Sequence, residues 1–167
     1  MISQCTTTRD FGAFAARSFM ALLMTLILVG CESSPTTAPA KTLPTCKMTI
    51  GTKSYELEMA RTPDEQETGL MKRDSMPENH GMIFIFETDR LQNFWMKDTR
   101  FALDIIFVDH SGRVVSVSTM QAYDLNTTSS MEPAQYAIEL NAGQAKAAGV
   151  EKGNTLKIPE SAQYKGK

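Results

Sequence analysis

The chain has few of the side chains on which most enzyme sites are built. Its 167 residues include three cysteines, two histidines and one tryptophan. The motifs G-x-S-x-G, H-E-x-x-H and C-x-x-C, which mark common hydrolase, metalloprotease and thiol–disulfide sites, are absent from the sequence. We therefore expect a protein that is not an enzyme of these classes and that carries no cofactor.

Clustered positive charge is also missing. The sequence has 17 basic and 19 acidic residues, a net charge of −2, and the basic residues are scattered along it. Nucleic-acid binding needs a basic surface that neutralises phosphates. We therefore expect no nucleic acid among the partners of this chain.

No apolar run is long enough to cross a bilayer as a helix, which takes about 20 residues. The longest run, FMALLMTLILV at residues 19–29, has 11 residues and follows Arg9 and Arg17. A short apolar run behind a basic flank is typical of a secretory signal peptide. The sequence thus predicts export from the cytoplasm.

The run ends in LVGC, residues 28–31, which resembles the lipobox of bacterial lipoproteins. The resemblance implies that residues 1–30 are a lipoprotein signal peptide, and that Cys31 becomes the N-terminus and carries acyl chains such as palmitate. Two or three such chains anchor a protein stably in a membrane. Glu32, rather than an aspartate, follows the cysteine, which favours the outer over the inner membrane of a diderm bacterium. We expect a lipid-anchored protein of the cell envelope that faces the periplasm.

Residues 31–45 predict a tether, because Pro35, Pro39 and Pro44 lie among small polar residues that favour an extended chain. Residues 46–160 are predicted to form the folded domain, and residues 161–167 a C-terminal tail. Cys46 would be the single free thiol of the mature chain, so no internal disulfide can form. It is either a small buried residue or a reactive nucleophile.

Short runs of alternating apolar and polar residues predict a domain made mainly of β-strands. A hairpin is predicted around Gly51-Thr52, and helices are predicted at 63–71, capped by Thr62, and at 142–148, capped by Asn141. The further strands are predicted at residues 82–86, 94–97, 103–108, 113–118, 136–140 and 155–158. This pattern indicates a single, mainly β domain with two short helices, built as an antiparallel β-barrel or sandwich.

Two predicted strands contain a carboxylate: Asp104 interrupts FALDIIFV, and Glu139 lies within YAIEL. A buried carboxylate without a partner costs about several kcal/mol, so each must reach solvent or find a partner. For Asp104 we expect Lys97, Arg73 or Thr99. In an extended 94–99 segment, Lys97 and Thr99 share a face with the single tryptophan. The candidate ligand-binding residues are Arg73, Trp95, Lys97, Thr99, Asp104 and Glu139.

Four segments in chain order, GLMKRDSMPENHGMIF, FWMKDT, LDIIFVDHSGRVV and AIELNAG, together resemble the DUF192 family of bacteria and archaea. The resemblance covers about residues 47–158. It implies a β-rich single domain that some members carry behind a secretion or lipoprotein signal, and it implies no activity. The polar family positions that packing alone does not explain are Arg73, Lys97, Thr99, Asp104 and Glu139.

The first hypothesis for function is a non-catalytic binding domain. Arg73 and Lys97 would donate to a small anionic or sugar-like ligand or an envelope component, and Trp95 would offer a flat apolar surface. Asp104 or Glu139 would orient the two cations. The alternative for the same residues is an internal salt-bridge network that stabilises the fold.

Two further hypotheses belong to other classes. The thioethers of Met71, Met82 and Met96 with the imidazole of His80 form a donor set that selects Cu(I), although methionine also fills gaps in cores. The carboxyl groups of Asp104 and Glu139 form a pair that a hydrolase could use as acid and base.

Overall fold

The computed structural model describes residues 43–166, and the predicted signal peptide, Cys31 and the tether up to residue 42 lie outside this range. Within it, the strands and helices are β1 (Thr45–Ile50), β2 (Lys53–Ala60), α1 (Pro63–Thr68), β3 (His80–Arg90), β4 (Asn93–Phe94), β5 (Leu103–Val108), β6 (Val114–Met120), β7 (Thr128–Ser129), β8 (Ala134–Asn141) and α2 (Gln144–Ala147). A 3-10 turn at Glu160–Ala162 ends the domain. None of the helices in this range is long and apolar enough to span a membrane.

Six strands form one sheet in the order β1-β2-β3-β8-β5-β6, and β4 and β7 form a separate two-stranded sheet. The mainly β class with two short helices is confirmed, and the architecture is compatible with a sandwich. The expected barrel is wrong, because the described strands leave the sheet open with β1 and β6 at its edges. The expectation of purely antiparallel pairing is also wrong, since β2 and β3 are parallel. The connection through α1 returns the chain to the same end of the sheet, which makes that pairing parallel.

Local sequence signals predict the first elements correctly. β1 and β2 form the expected antiparallel hairpin, with Gly51 in a left-handed conformation at φ 57° in the turn. Thr62 caps α1 in a capping box with Glu65, and Pro63 occupies the first turn. α1 is shorter than predicted, because the chain turns at Gly69, whose φ is 45°.

Three predictions of elements need correction. The strand expected at 94–97 is reduced to the two residues of β4, because Asp98 is left-handed at φ 54° and the Thr99 amide bonds to the Met96 carbonyl, closing a turn. The strand expected at 155–158 is a single bridge between Thr155 and Arg113. The second helix starts after Gly143 rather than Asn141.

The large sheet buries apolar side chains on both faces. One face, here called the helix face, carries side chains such as Leu57, Ile106 and Ile138 and is covered by α2 and residues 155–162. The other, here called the loop face, carries Met82 and Phe107 and is covered by the chain that follows α1 and by residues 94–101. Among the described residues, both cores are built from side chains between Leu43 and Ala162, which belong to one compact unit.

The ends of the unit and the free thiol belong to these cores. Leu43 is buried on the loop face and Ala162 on the helix face, so packing begins before β1 and continues into the segment predicted as a tail. Cys46 is 7% exposed in the helix-face core. Burial raises the pKa of its thiol, which disfavours the reactive thiolate and supports the structural interpretation of this residue.

Candidate functional site

A cleft of about 240 Å³ opens on the loop face, where the covering loops do not meet. One wall is formed by α1 and the turn after it, residues 66–71, and the other by residues 92–95. The floor is formed by Phe84 and Phe86 of β3 and by Glu139 of β8. The described lining contains carboxyl, amide and aromatic side chains but no lysine or arginine.

Glu139 is the buried carboxyl group of this cleft, with 4% of its surface exposed. Within residues 43–166, its carboxyl group accepts no hydrogen bond from the protein, and no fully buried side-chain oxygen or nitrogen lacks a partner. The Glu139 oxygens must therefore open into the cleft. Burial raises the pKa of this carboxyl group from 4.5 to about 8, and the positive charge of Arg73 lowers it only in part. Glu139 is thus mostly protonated at neutral pH.

The nearest guanidinium is committed to another carboxylate. Arg73 donates through both terminal nitrogens to the two oxygens of Glu58, at 2.5 and 2.9 Å, and this pairing raises the pKa of Arg73. Glu58, Met82 and Glu139 stand in register across three neighbouring strands, so their side chains share the loop face. The Cα atoms of Glu58 and Glu139 are therefore about 10 Å apart, two strand spacings. The guanidinium of Arg73 pairs with the Glu58 carboxylate and leaves the Glu139 carboxyl group without a partner.

Aromatic rings form the apolar part of the cleft. Phe94 of β4 meets Phe84 and Phe107 edge to face, with ring centroids 4.9 and 5.5 Å apart, and it also contacts Phe86 at 6.4 Å. Edge-to-face contacts of this kind add stability beyond the buried area. Phe84, Phe86 and Phe94 lie in strands predicted from the sequence, and their alternation with other apolar residues carries no signal that they line a cleft.

Trp95 and Thr99 line the cleft as a site would require, whereas Lys97 does not. Trp95 is 45% exposed at the rim, and the Lys97 ammonium lies over its ring, 5.3 Å from the centroid. Thr99 is buried and donates to the Lys97 carbonyl at 3.3 Å. A backbone hydrogen bond of 2.8 Å, from the Lys72 amide to the Asp98 carbonyl, joins the two loops at the rim of the cleft.

Asp104 lies on the other side of the sheet. Its carboxylate accepts the Thr119 hydroxyl at 2.7 Å and the Ala145 amide at 2.9 Å. Ala145 belongs to the first turn of α2, so Asp104 satisfies a free N–H at the start of the helix that covers the helix face. The sequence predicted Lys97, Arg73 or Thr99 as the partner of Asp104, and this prediction is wrong.

The structure therefore divides the candidate residues into three groups. Glu139, Trp95 and Thr99 meet at the cleft. Arg73 lies beside it in the pair with Glu58, and Lys97 stands outside over the tryptophan. Asp104 and Glu139 occupy opposite faces of the sheet, so they cannot act together on one substrate as the acid and base of a hydrolase.

The residues considered for Cu(I) are spread over core and rim. Met82 and Met96 are buried in the loop-face core, Met71 is half-buried and lines the cleft, and His80 begins β3. Residues 43–166 contain no group of three or more histidine, cysteine, aspartate or glutamate side chains placed to hold a metal ion.

These features define the class of the protein. It is an open, mixed β-sheet domain with a carboxyl group at the floor of a cleft. The chain belongs to the DUF192 family, described as "Uncharacterized ACR", whose model matches residues 46–158. No curated protein is similar enough to the chain to be matched with it.

Solved structures that are similar to this one include the following two. A protein of unknown function from Novosphingobium aromaticivorans DSM 12444 is 30% identical, with a TM-score of 0.65 over 76% of this chain and 94% of that one. A protein from Sinorhizobium meliloti 1021, named as a candidate transcription regulator, is 34% identical, with a TM-score of 0.60 over 68% of this chain and 90% of that one.

Removal of the Asp104 carboxylate is expected to destabilise the domain without affecting the cleft. Asp104→Ala leaves the Ala145 amide without an acceptor, which costs about 1–3 kcal/mol of the free energy of unfolding. Thr119→Val removes only the hydroxyl bond and should cost about 1 kcal/mol or less. Urea denaturation of the two variants measures the difference, and an equal loss in both would show that Asp104 does not cap α2.

The raised pKa of Glu139 predicts a stability that falls as pH rises. Between pH 4.5 and about 8 the unfolded chain has released the Glu139 proton while the folded protein keeps it. The free energy of unfolding should decrease through this window by at most about 1.4 kcal/mol per pH unit from this group. Glu139→Gln removes this pH-dependent contribution. The free energy of unfolding of the variant, minus that of the parent protein, should therefore increase from pH 5 to pH 8.

The control for this pH series is Glu67→Gln, since Glu67 is an exposed carboxylate on the same cleft. Chemical denaturation at several pH values should give the Glu67 variant the same slope as the parent. A Glu139→Gln variant with the parent's slope as well would mean that Glu139 is ionised in the folded protein.

Proposed function

We propose that this chain is a lipid-anchored, extracytoplasmic binding protein whose loop-face cleft takes one small, neutral, sugar-like ligand. The anchoring is supported by the apolar run at residues 19–29, by Cys31 behind a small residue, and by the proline-containing tether. The ligand class is supported by the chemistry of the cleft. The protein has a binding role in this proposal and no catalytic one.

The observation that carries the proposal is the Glu139 carboxyl group, which opens into the cleft without a partner among the described residues. With a pKa of about 8, it can donate its proton as well as accept a hydrogen bond at neutral pH. A sugar hydroxyl both donates and accepts, so it can pair with both oxygens of such a group. A buried polar group left without a partner costs stability, and a bound ligand would relieve that cost.

The charges at the cleft favour a neutral ligand over an anionic one. Glu67 and Glu139 line it, and no basic residue does. Arg73 has both terminal nitrogens on Glu58, and the Lys97 ammonium lies over the ring of Trp95. An anion would meet carboxyl groups and no available donor with positive charge, which disfavours its binding.

The shape and walls of the cleft also suit a single sugar ring. Its volume of about 240 Å³ lies below the roughly 300–1,000 Å³ of sites for larger ligands. The half-exposed ring of Trp95 and the phenylalanines offer flat apolar surfaces. The side-chain amides of Gln66 and Gln92 donate to the backbone carbonyls of Ile85 and Ala134, at 2.9 and 3.1 Å, which holds both side chains in place.

Titration with a matched pair of sugars tests the proposal. Methyl glucoside and glucuronate are similar in size and differ in charge. We expect methyl glucoside to shift the amide NMR signals of Glu139 and the emission of Trp95. Glucuronate should bind at least about tenfold more weakly, a difference of about 1.4 kcal/mol.

Two substitutions at one position separate hydrogen bonding from fold effects. Glu139→Gln keeps a donor and an acceptor and should retain binding. Glu139→Leu keeps the volume but loses the hydrogen bonds and should weaken binding about tenfold or more. Thermal unfolding checks that both variants fold. Tighter binding of glucuronate than of the neutral sugar, or equal binding in the glutamine and leucine variants, would contradict the proposal.

A further inference from the structure

Large apolar side chains on the surface are concentrated in one place. In the part of the chain that the structure describes, six are exposed, and five of them lie in residues 91–95 and 123–131. We call these five the apolar edge: Leu91, Trp95, Tyr123, Leu125 and Met131. The sixth, Tyr164, lies near the C-terminus. A contiguous apolar patch on a protein surface marks a site of contact with another molecule or with a membrane.

The two segments that carry the apolar edge form one structural unit. β4 and β7 pair through Phe94 and Thr128. Two further backbone hydrogen bonds join the segments. The Ser130 amide donates to the Gln92 carbonyl at 2.9 Å, and the Met96 amide donates to the Asp124 carbonyl at 2.8 Å. Trp95 also lines the cleft, so the apolar edge borders its mouth.

Two exposed residues of the apolar edge have a strained backbone conformation. Tyr123 and Met131 have φ values of 61° and 63°, in the left-handed region that non-glycine residues rarely adopt. Such conformations persist where the surrounding structure imposes them, and they are frequent at functional sites. Tyr123 and Met131 are 60% and 75% exposed. Packing inside the domain therefore does not explain why these two residues keep a strained backbone conformation.

The chemistry of the apolar edge fits the interfacial region of a lipid bilayer. Tryptophan and tyrosine prefer the level of the lipid headgroups, where one end of the ring is apolar and the other is wet. Lys97 lies over Trp95, and Arg90 lies 5.6 Å from the ring centroid of Phe86 beside the apolar edge. Their long stems allow the charged groups to remain in water while the apolar neighbours enter the lipid.

Carboxylates limit the role of charge in this contact. Asp98 and Asp124 lie in the same loops as Lys97 and Tyr123. The local charge is therefore mixed, and contact should depend mainly on apolar burial. Zwitterionic lipid should suffice, with only a modest gain from anionic lipid.

The tether allows the domain to make this contact. Residues 32–42 separate the proposed lipidated cysteine from the described domain, and in an extended form they span at most about 35 Å. The tether would hold the start of the domain at Leu43 within this distance of the bilayer, so the domain meets the lipid at high effective concentration and a weak contact is sufficient. We infer that the apolar edge is a membrane-contact surface that enters the headgroup region of the bilayer holding the anchor. The inference rests on the proposed anchoring, and it makes the cleft open along the membrane surface.

The single tryptophan of the chain provides a specific probe, because Trp95 lies in the apolar edge. The protein for the test is residues 31–167 with Cys31→Ser, which has no acyl chain and keeps every described residue. Phosphatidylcholine vesicles should shift the Trp95 emission to shorter wavelength, and brominated phosphatidylcholine should quench it. The protein should also sediment with the vesicles.

Substitution of exposed residues tests the contact without disturbing a core. Leu125→Ser combined with Met131→Ser should reduce partitioning into vesicles at least tenfold. Tyr164→Ser, at an exposed aromatic residue outside the apolar edge, should leave partitioning unchanged. Circular dichroism and thermal unfolding confirm that the variants are folded.

Three results would overturn the inference. One is an unchanged Trp95 emission at every vesicle concentration. Another is equal partitioning of the double variant and the parent. The third is self-association of the parent in sedimentation experiments, reversed by the double variant and without vesicle binding, which would assign the apolar edge to a second copy of the chain.

The state of Cys31 in the natural protein separates this inference from the proposed anchoring. Mass spectrometry of the chain extracted from membranes determines whether Cys31 is acylated. An unmodified Cys31 would end the anchoring proposal, whereas vesicle binding by the Cys31→Ser protein would still support the membrane-contact surface. An acylated Cys31 with no vesicle response of Trp95 would refute the surface alone.

Discussion

A carboxyl group in the middle of a β-sheet, with no partner in the described protein, determines how the loop face is built. Glu139 stands two strands from Glu58 in the same cross-strand row, and the guanidinium of Arg73 is bound by Glu58. Burial without a partner favours the protonated form, so the group remains neutral and can both donate and accept hydrogen bonds. The loops above it leave a cleft in place of a sealed core. Its walls contain aromatic rings and amides but no cation.

The two faces of the sheet solve the problem of a buried acid in opposite ways. On the helix face, Asp104 receives the hydroxyl of Thr119 and the amide of Ala145, so the carboxylate is satisfied and α2 is held against the sheet. That arrangement stabilises the fold. On the loop face, the acid is left open to a cavity and the covering chain carries an exposed apolar edge. In the proposed function, the loop face serves ligand recognition, whereas the contacts of Asp104 on the helix face serve stability.

Signals contained within a few neighbouring residues were sufficient to predict several elements. The β1–β2 hairpin, the capping box at Thr62 and the strand over 103–108 all follow from local pattern. The parallel β2–β3 pair and the insertion of β8 between β3 and β5 depend on contacts between distant segments, which local alternation does not specify. The same limit applies to the site. Alternation assigns Asp104 and Glu139 to a face of their own strands, but it does not say which faces coincide once the strands pair. The turn at Asp98, which places Lys97 outside, likewise left no clear signal in an apolar stretch that resembled a strand.

The proposed preference of the cleft for neutral ligands depends on the protonation state of Glu139 in the folded protein. A site-resolved ¹³C NMR titration of the Glu139 carboxyl carbon measures it most directly, with assignment by comparison with the Glu139→Gln protein. We predict a midpoint near pH 8, with the protonated signal dominant at pH 6. A midpoint near the ordinary value of 4.5 would mean that an ionised Glu139 is paired or hydrated in the fold, and it would contradict the proposed cleft chemistry.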